Sequence, residues 1–473
     1  MSFAQVGPGP RRETWWPQAE LIGVNINTDR EFGLALLQFL SDEMRRRAVA
    51  AKAVGVSKLE ELRDWEDAEL AEGDRGSWPR IVAVIDEFQY LFAENDAVTK
   101  AAAVLLEDVA RRGRSQGIHL VLASQDISGI QVFWGRPAVF EQFVLRIALP
   151  RARRVLVETN DAAVGLPRWH AVINPESGTK HGNKIVRIPD ASSKGLVEDV
   201  QQRLHRMYHR SGEGPKLFDG SRSPRITDLV GNLPASDDEL PRAVLGQCID
   251  VTGRAATVRL SATPGRNVGV LASVGKDAVP TLTAAAVSLA GQLPADGVRV
   301  VIAPLVVEAT GEASWLAKEF LGADRGYDIE TVPMDQLKTT IEGLSAEVTD
   351  RLKGDAVRTP ALVVLYAADA GDTVLERAGT DALRNLLRHG PETGVHVLGW
   401  WRSIQRLRAL LTLGASVDDL GAWVALDVHG AELGPLVPGM LVSWAPRPGR
   451  GLFFDRSQHA APEVIIVPSL EEP

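Results

Sequence analysis

The chain has 473 residues, 45% hydrophobic and 24% charged, which is ordinary for a folded water-soluble protein and too long for a single core. A formal net charge of −9 argues against a generally basic nucleic-acid coat. The lone cysteine, Cys248, excludes an intramolecular disulfide and a cysteine zinc site and points to a cytoplasmic setting; no apolar run spans a bilayer and no signal peptide is present.

Residues 1–14, rich in Gly, Pro and Arg, read as a flexible entry. Thr28 and Asp29 are placed to cap a helix over 30–53, whose Phe32, Leu36, Phe39, Leu40 and Met44 fall at helical spacing. Arg45, Arg46 and Arg47 near its end read as a solvated face. After a turn at 73–79, residues 81–88 run Ile-Val-Ala-Val-Ile-Asp-Glu-Phe. Five apolar residues, mostly β-branched, predict a central parallel strand buried on both faces, ending on Asp86 and Glu87.

A helix over 101–115 is expected to turn Val104, Leu105 and Val109 inward; Gly117 breaks it before a strand at 118–124. Strand, helix, strand makes a parallel βαβ unit, with Gln125 at the edge that carries the two acids. His119, inside that strand, reads as a satisfied core histidine. A further strand around 143–149 contains Arg146, with Arg151, Arg153 and Arg154 just after it; Lys180, His181 and Lys184 form a small basic loop.

Residues 211–242 are polar and Gly/Pro-rich and read as a linker between a first module at 15–210 and a second at 243–473. New apolar strands at 268–272, 298–303 and 361–365 make the second half α/β as well. An internal repeat joins the halves: residues 110–122 match 387–399 at an offset of 277, pairing Gly113 with Gly390, Gly117 with Gly394 and His119 with His396.

Adjacent acids at the end of such a strand are the Walker B arrangement of P-loop nucleotide hydrolases, in which one acid holds Mg²⁺ and its neighbour polarises water. On that reading Asp86 positions the metal shell and Glu87 activates water, whereas the plainer alternative is a pair of acids that face solvent or cap the next helix. Gln125 is placed to sense a γ-phosphate or align the water, and Arg146 or one of the nearby arginines is a candidate finger across a subunit interface.

In the second module Gly275 and Lys276 sit where a phosphate loop belongs, yet Asp277 replaces the hydroxyl and Val270 the first glycine. Tyr366 and Ala367 stand in place of the two acids and Arg402 in place of Gln125, so this module is expected not to hydrolyse ATP. Between residues 1 and 80 there is no Gly-x-x-x-x-Gly-Lys at all.

The Glu43-Met44-Arg45-Arg46 helix, Ile85-Asp86-Glu87-Phe88, the stretch from Ala110 to Leu120, Leu122-Ala-Ser-Gln125 and Leu145-Arg-Ile-Ala-Leu149 together resemble the FtsK/SpoIIIE motor ATPases. The resemblance covers 28–190 well and the region from about 240 more weakly. It implies α/β architecture with two RecA-like P-loop modules and mostly parallel sheets, the first lacking its Walker A segment. It implies ATP and Mg²⁺ as cofactors, Asp86 and Glu87 as Walker B acids and Gln125 as a sensor.

For partners, it implies a homo-hexamer acting on double-stranded DNA, or on a secreted protein substrate in the EccC-type branch, with membrane contact only through a missing N-terminal region. A DNA translocase represented by its C-terminal part is the leading expectation. A tandem-module secretion ATPase and an ATPase-dead scaffold are the competing ones. No winged-helix DNA-reading tail is evident: the chain ends in a strand-like Val464-Ile-Ile-Val467.

Overall fold

The β-branched runs become strands and the apolar stripes become helices that cover them. The computed structural model describes residues 21–24, 29–71, 74, 76, 78–125, 130, 138–152, 154–190, 194–208, 216–234, 240–295, 297–354, 359–412 and 417–470. Thr28, Gly73, Arg153 and the N-terminal entry lie outside them. Its contacts divide the chain into Met1–Arg222 with Asp250–Thr252, called unit 1 below, and Ser223–Ile249 with Gly253–Pro473, called unit 2. Among the described residues no helix is long and apolar enough to cross a membrane.

In unit 1, β1 (Leu21–Val24) leads into α1 (Arg30–Ala53), α2 (Leu59–Glu69), β2 (Ile81–Ile85), α3 (Ala97–Arg112) and β3 (Ile118–Leu122). There follow α4 (Ala138–Glu141), β4 (Arg146–Ala148), β5 (His170–Asn174), β6 (Lys184–Arg187), α5 (Lys194–Tyr208) and β7 (Lys216–Asp219). The first long helix spans the expected residues and buries Phe32, Leu36, Leu37, Leu40 and Met44; Phe39 points outward, 42% exposed. On α3 the buried stripe is Thr99, Ala102, Ala103, Leu106 and Val109, one step round from the expected face, and Val104 is exposed.

β2 and β3 pair in parallel from Ile81↔Ile118 to Ile85↔Leu122, closing the βαβ unit. The expectation of a strand buried on both faces is corrected here: Ile81, Ala83 and Ile85 are buried, while Val82 and Val84 are half-buried. β3 is similarly one-sided, with His119 and Val121 exposed, so His119 is not a core histidine. Among the described residues these two strands form a sheet of their own, which leaves one face and both outer edges without a strand neighbour. β4, β5 and β6 form a small antiparallel sheet. The polar stretch read as a linker carries structure, because β7 pairs in parallel with β1 and Phe218 stacks on Phe32 at 4.4 Å.

Unit 2 opens with α6 (Ile226–Gly231), β8 (Arg242–Cys248), β9 (Ala255–Arg259), β10 (Val268–Leu271), α7 (Gly275–Val287), β11 (Arg299–Pro304) and α8 (Thr310–Gly322). It continues through β12 (Asp328–Thr331), α9 (Leu337–Lys353), β13 (Ala361–Tyr366), α10 (Asp372–His389), β14 (Val395–Trp401), α11 (Ile404–Thr412) and β15 (Ala422–Ala425). The last elements are α12 (Gly430–Leu433), β16 (Arg450–Asp455) and β17 (Glu463–Ile466).

The strands make one ten-stranded sheet in the order β12-β11-β13-β14-β10-β15-β16-β17-β8-β9. The segment from β12 to β15 is parallel and the rest antiparallel. Alternate residues feed opposite faces: Val300 and Ile302 pack with α7 and α8, whereas Val301 and Ala303 pack with α9, α10 and α11. This is a doubly wound α/β sheet, whose ligand edge lies beyond the carboxyl ends of its parallel strands.

The repeat extends to the register. β13 and β14 pair from Ala361↔Val395 to Leu365↔Gly399, as β2 and β3 do, and the entering strand donates to the glycine carbonyl in both cases, Ile81 to Gly117 and Ala361 to Gly394, each at 2.9 Å. Gly117 and Gly394 have φ of 70° and 82°, a left-handed turn that side chains resist.

Candidate active site at the sheet edge of unit 1 and its counterpart in unit 2

At the end of β2 the backbone turns sharply. Glu87 adopts left-handed φ 49° and ψ 38°, and its amide donates to Asp86 Oδ1 at 2.9 Å. The turn is held on both sides: Ala123 N–H bonds the Ile85 carbonyl and Phe88 N–H bonds the Ala123 carbonyl. A left-handed non-glycine residue costs about 1 kcal/mol or more and is concentrated at functional sites. Here it brings neighbouring acids, which a straight strand would point apart, to the same edge.

Gln125 follows β3 and its Nε2 donates to Glu87 Oε1 at 2.7 Å, so the two strands deliver a carboxylate and an amide to one place. Asp86 and Glu87 are half-buried and Gln125 is exposed. Among the described residues no group of three His, Cys, Asp or Glu side chains gathers around a metal-sized space. Two hard carboxylates suit Mg²⁺, which takes one or two protein acids and fills its remaining positions with water and phosphate oxygens. No Gly-x-x-x-x-Gly-Lys sequence occurs among the described residues of unit 1.

Arg146 occupies a different kind of position. Its Nε, Nη1 and Nη2 donate to the carbonyls of Phe143, Val155 and Phe140, and burial pushes the guanidinium pKa down. The side chain ties α4 and the turn after it to the Val155 loop, and reaching across an interface as a finger would require breaking all of those bonds. Arg151 and Arg154 are exposed, each with positive φ. In the small basic loop, Lys180 stands 3.6 Å from Asp161 and His181 contacts Glu176.

In unit 2 the same edge is filled differently. Gly275 begins α7, as a phosphate loop would, but Ser273 N–H and Oγ–H donate to the Asp427 carboxylate at 2.7 and 2.5 Å, and Val274 N–H donates to it at 3.1 Å. A Cβ built on Gly275 would lie 2.4 Å from Glu308 Oε1, which places a second acid against the turn. Tyr366, in the place of Asp86, is fully buried, and its hydroxyl meets Thr283 Oγ1 at 2.7 Å; burial drives its pKa strongly upward. Ala367 repeats the left-handed turn of Glu87 with φ 56°. Asp369 is buried, and it accepts from Arg402 N–H at 3.0 Å and from Arg402 Nε at 3.3 Å.

A residue the sequence reading placed on a solvated face is central to unit 1. Arg47 is buried, bonds Glu43 through Nε at 2.6 Å and donates from Nη1 to the Gln116 carbonyl at 2.8 Å. Arg351 repeats this with Glu347 and the Thr393 carbonyl. The signal was present as two Glu-x-x-x-Arg helical pairs 304 residues apart.

No protein-family model matches this chain. Two curated relatives, the ESX-5 secretion system proteins EccC5 of Mycobacterium marinum and Mycobacterium tuberculosis, are each 30% identical over 112 residues. That stretch is 24% of this chain and only 8% of theirs. Among solved structures, EssC (ATPases 2 and 3) from Geobacillus thermodenitrificans aligns over 100% of this chain and 85% of its own, with a TM-score of 0.59 at 15% identity. Thermomonospora curvata EccC (ATPases 2 and 3), in complex with a signal sequence peptide, aligns over 100% and 82% with a TM-score of 0.55 at 14% identity. The fold is therefore that of tandem P-loop ATPase modules. The curated relatives are secretion system proteins and the solved neighbours are ATPase modules, and the expectation of double-stranded DNA as cargo gains no support from them.

Proposed function

We propose that this chain is the tandem-module part of a type VII-like protein secretion ATPase, in which unit 1 contributes the water-activating half of a hydrolytic site and unit 2 is a non-hydrolysing module. The observation that carries this reading is the 2.7 Å contact between Gln125 and Glu87 at the carboxyl edge of a parallel βαβ unit. It is supported by a fold shared over the whole chain with the EssC and EccC modules.

Asp86 would hold Mg²⁺, which when bound with ATP neutralises phosphate charge. Glu87 accepts a proton from water, and Gln125 fixes the rotamer of Glu87 while offering its remaining amide hydrogen to that water. The phosphate loop has to come from a segment other than the described residues of unit 1. The neighbour's signal sequence peptide makes a secreted polypeptide the favoured cargo here, in a homo-hexameric assembly.

The test joins the chain to a segment carrying Gly-x-x-x-x-Gly-Lys-Ser and measures ATP hydrolysis with a signal-sequence peptide or duplex DNA added. Peptide stimulation, no DNA stimulation and about a hundredfold loss on Glu87→Gln are expected. Stimulation by DNA alone would restore the translocase reading. Turnover indifferent to Glu87→Gln would remove Glu87 from the site, and no turnover at all would leave a scaffold.

A further inference from the structure

Unit 2 presents two charge substitutions along one stretch of sheet edge. Its parallel strands run β13-β14-β10-β15, so the turns after these neighbouring strands line a common rim. After β10, the amides of Ser273 and Val274 and the Ser273 hydroxyl converge on Asp427, which itself follows β15. After β13 and β14, Asp369 takes Arg402, and Arg406 Nη1 stands 3.5 Å from Asp369 Oδ2.

In a P-loop enzyme the first of these places receives phosphate oxygens on main-chain amides, and the second borders the acid-held divalent cation, whose acid position is Tyr366 in this unit. A carboxylate now sits in the first and guanidiniums in the second. The signs match those of the groups replaced. Glu308 against Gly275 and Asp277 in the first turn of α7 add negative charge where an incoming polyphosphate would have to settle.

We infer that unit 2 ligates itself: Asp427 takes the place of a phosphoryl group at the Ser273–Gly275 turn, Arg402, at the position of Gln125, and Arg406 bring positive charge to Asp369 beside where a cation would sit, and the module is thereby closed to nucleotide. This inference rests on the P-loop fold of unit 2 alone, so it stands or falls separately from hydrolysis by unit 1. It makes unit 2 a module held permanently in one state, which would transmit position rather than respond to ATP.

The experiment irradiates the full chain with Mg²⁺ and 8-azido-ATP and maps labelled peptides. The wild-type peptide covering 268–287 is expected to stay unlabelled, while Asp427→Ala gains at least about tenfold labelling there. Asp427→Asn, which keeps the size and removes the charge, gains an intermediate amount. Labelling of that peptide in the wild-type chain overturns the inference, as does its absence in both variants when their thermal melts match wild type. If neither variant folds, amide exchange of nucleotide-free wild type decides. Slow exchange at Ser273 and Val274 supports the internal plug, and exchange at the rate of an open loop overturns it.

Discussion

Arg47 and Arg351 hold the same post in the two units. Each is buried, bonds a glutamate four residues back on its own helix, and donates to the carbonyl just before a left-handed glycine, Gly117 or Gly394. Each bolts a helix onto the turn that launches the strand leading to Gln125 or Arg402.

Removing the Arg47 bolt strands the Gln116 carbonyl with little access to water and leaves Glu43 held by Arg46 alone, which donates to both of its oxygens. Arg47→Ala is expected to cost about 3 kcal/mol in urea denaturation, with Arg47→Lys recovering only part because a single nitrogen does not span the two acceptors that Nε and Nη1 of the guanidinium reach separately. Arg351→Ala should cost less, about 2 kcal/mol, since Glu347 is 44% exposed and can turn to solvent. A loss under about 0.5 kcal/mol at Arg47 would mean the buried bonds are not formed in solution.

Gln125 is exposed and bonds Glu87 without supporting the core. Gln125→Ala should leave the melting curve within about 0.5 kcal/mol of wild type. In the chain completed with a phosphate loop, turnover should fall about tenfold with little change in KM. Unchanged turnover would remove Gln125 from the proposed site.

His119 and His396 are repeat partners with opposite surroundings. His396 is buried against β10 and its Nδ1 donates to the Arg266 carbonyl at 2.9 Å; burial holds its pKa below the ordinary imidazole value. A lowered folded pKa means that the stability it contributes is full above the unfolded value near 6.5 and declines as pH falls below it. Thermal melts between about pH 7 and 5 should show unit 2 losing stability on acidification, a slope that His396→Gln flattens. An unchanged slope in His396→Gln would assign the loss to other groups.

Tyr366 shows why the second module cannot be repaired by restoring an acid. Tyr366→Phe gives up one buried hydrogen bond to Thr283, an expected cost of about 1 kcal/mol. Tyr366→Asp puts a carboxylate in a fully buried place and should cost about 3 kcal/mol or more, read as a lowered melting midpoint. An Asp variant as stable as wild type would show that this position opens to solvent.

Much of this architecture was legible because it is written in short-range pattern. The α1 boundaries, the βαβ unit, Gln125 at the acid edge and the register of the internal repeat all follow from apolar spacing and glycine position. Facing was harder to read. Val104 and Phe39 sit at helical spacing yet point outward, since a helix stripe is wide enough to be rotated one residue either way. His119 was misplaced because Ile118–Leu122 is as apolar as a central strand, while its covering depends on neighbours far off in sequence. Asp427 was invisible, as its partners lie about 150 residues away. Arg45, Arg46 and Arg47 look alike in sequence, and only three-dimensional packing singles out the last.

The left-handed turn at Ala367 aims nothing. Its side chain is a methyl group, yet the backbone keeps the unfavourable conformation that Glu87 uses to present an acid. The bend is part of how the strand hands over to the next helix, independently of the charge on the side chain at that position. One main-chain shape thus serves a carboxylate in one unit and a methyl group in the other.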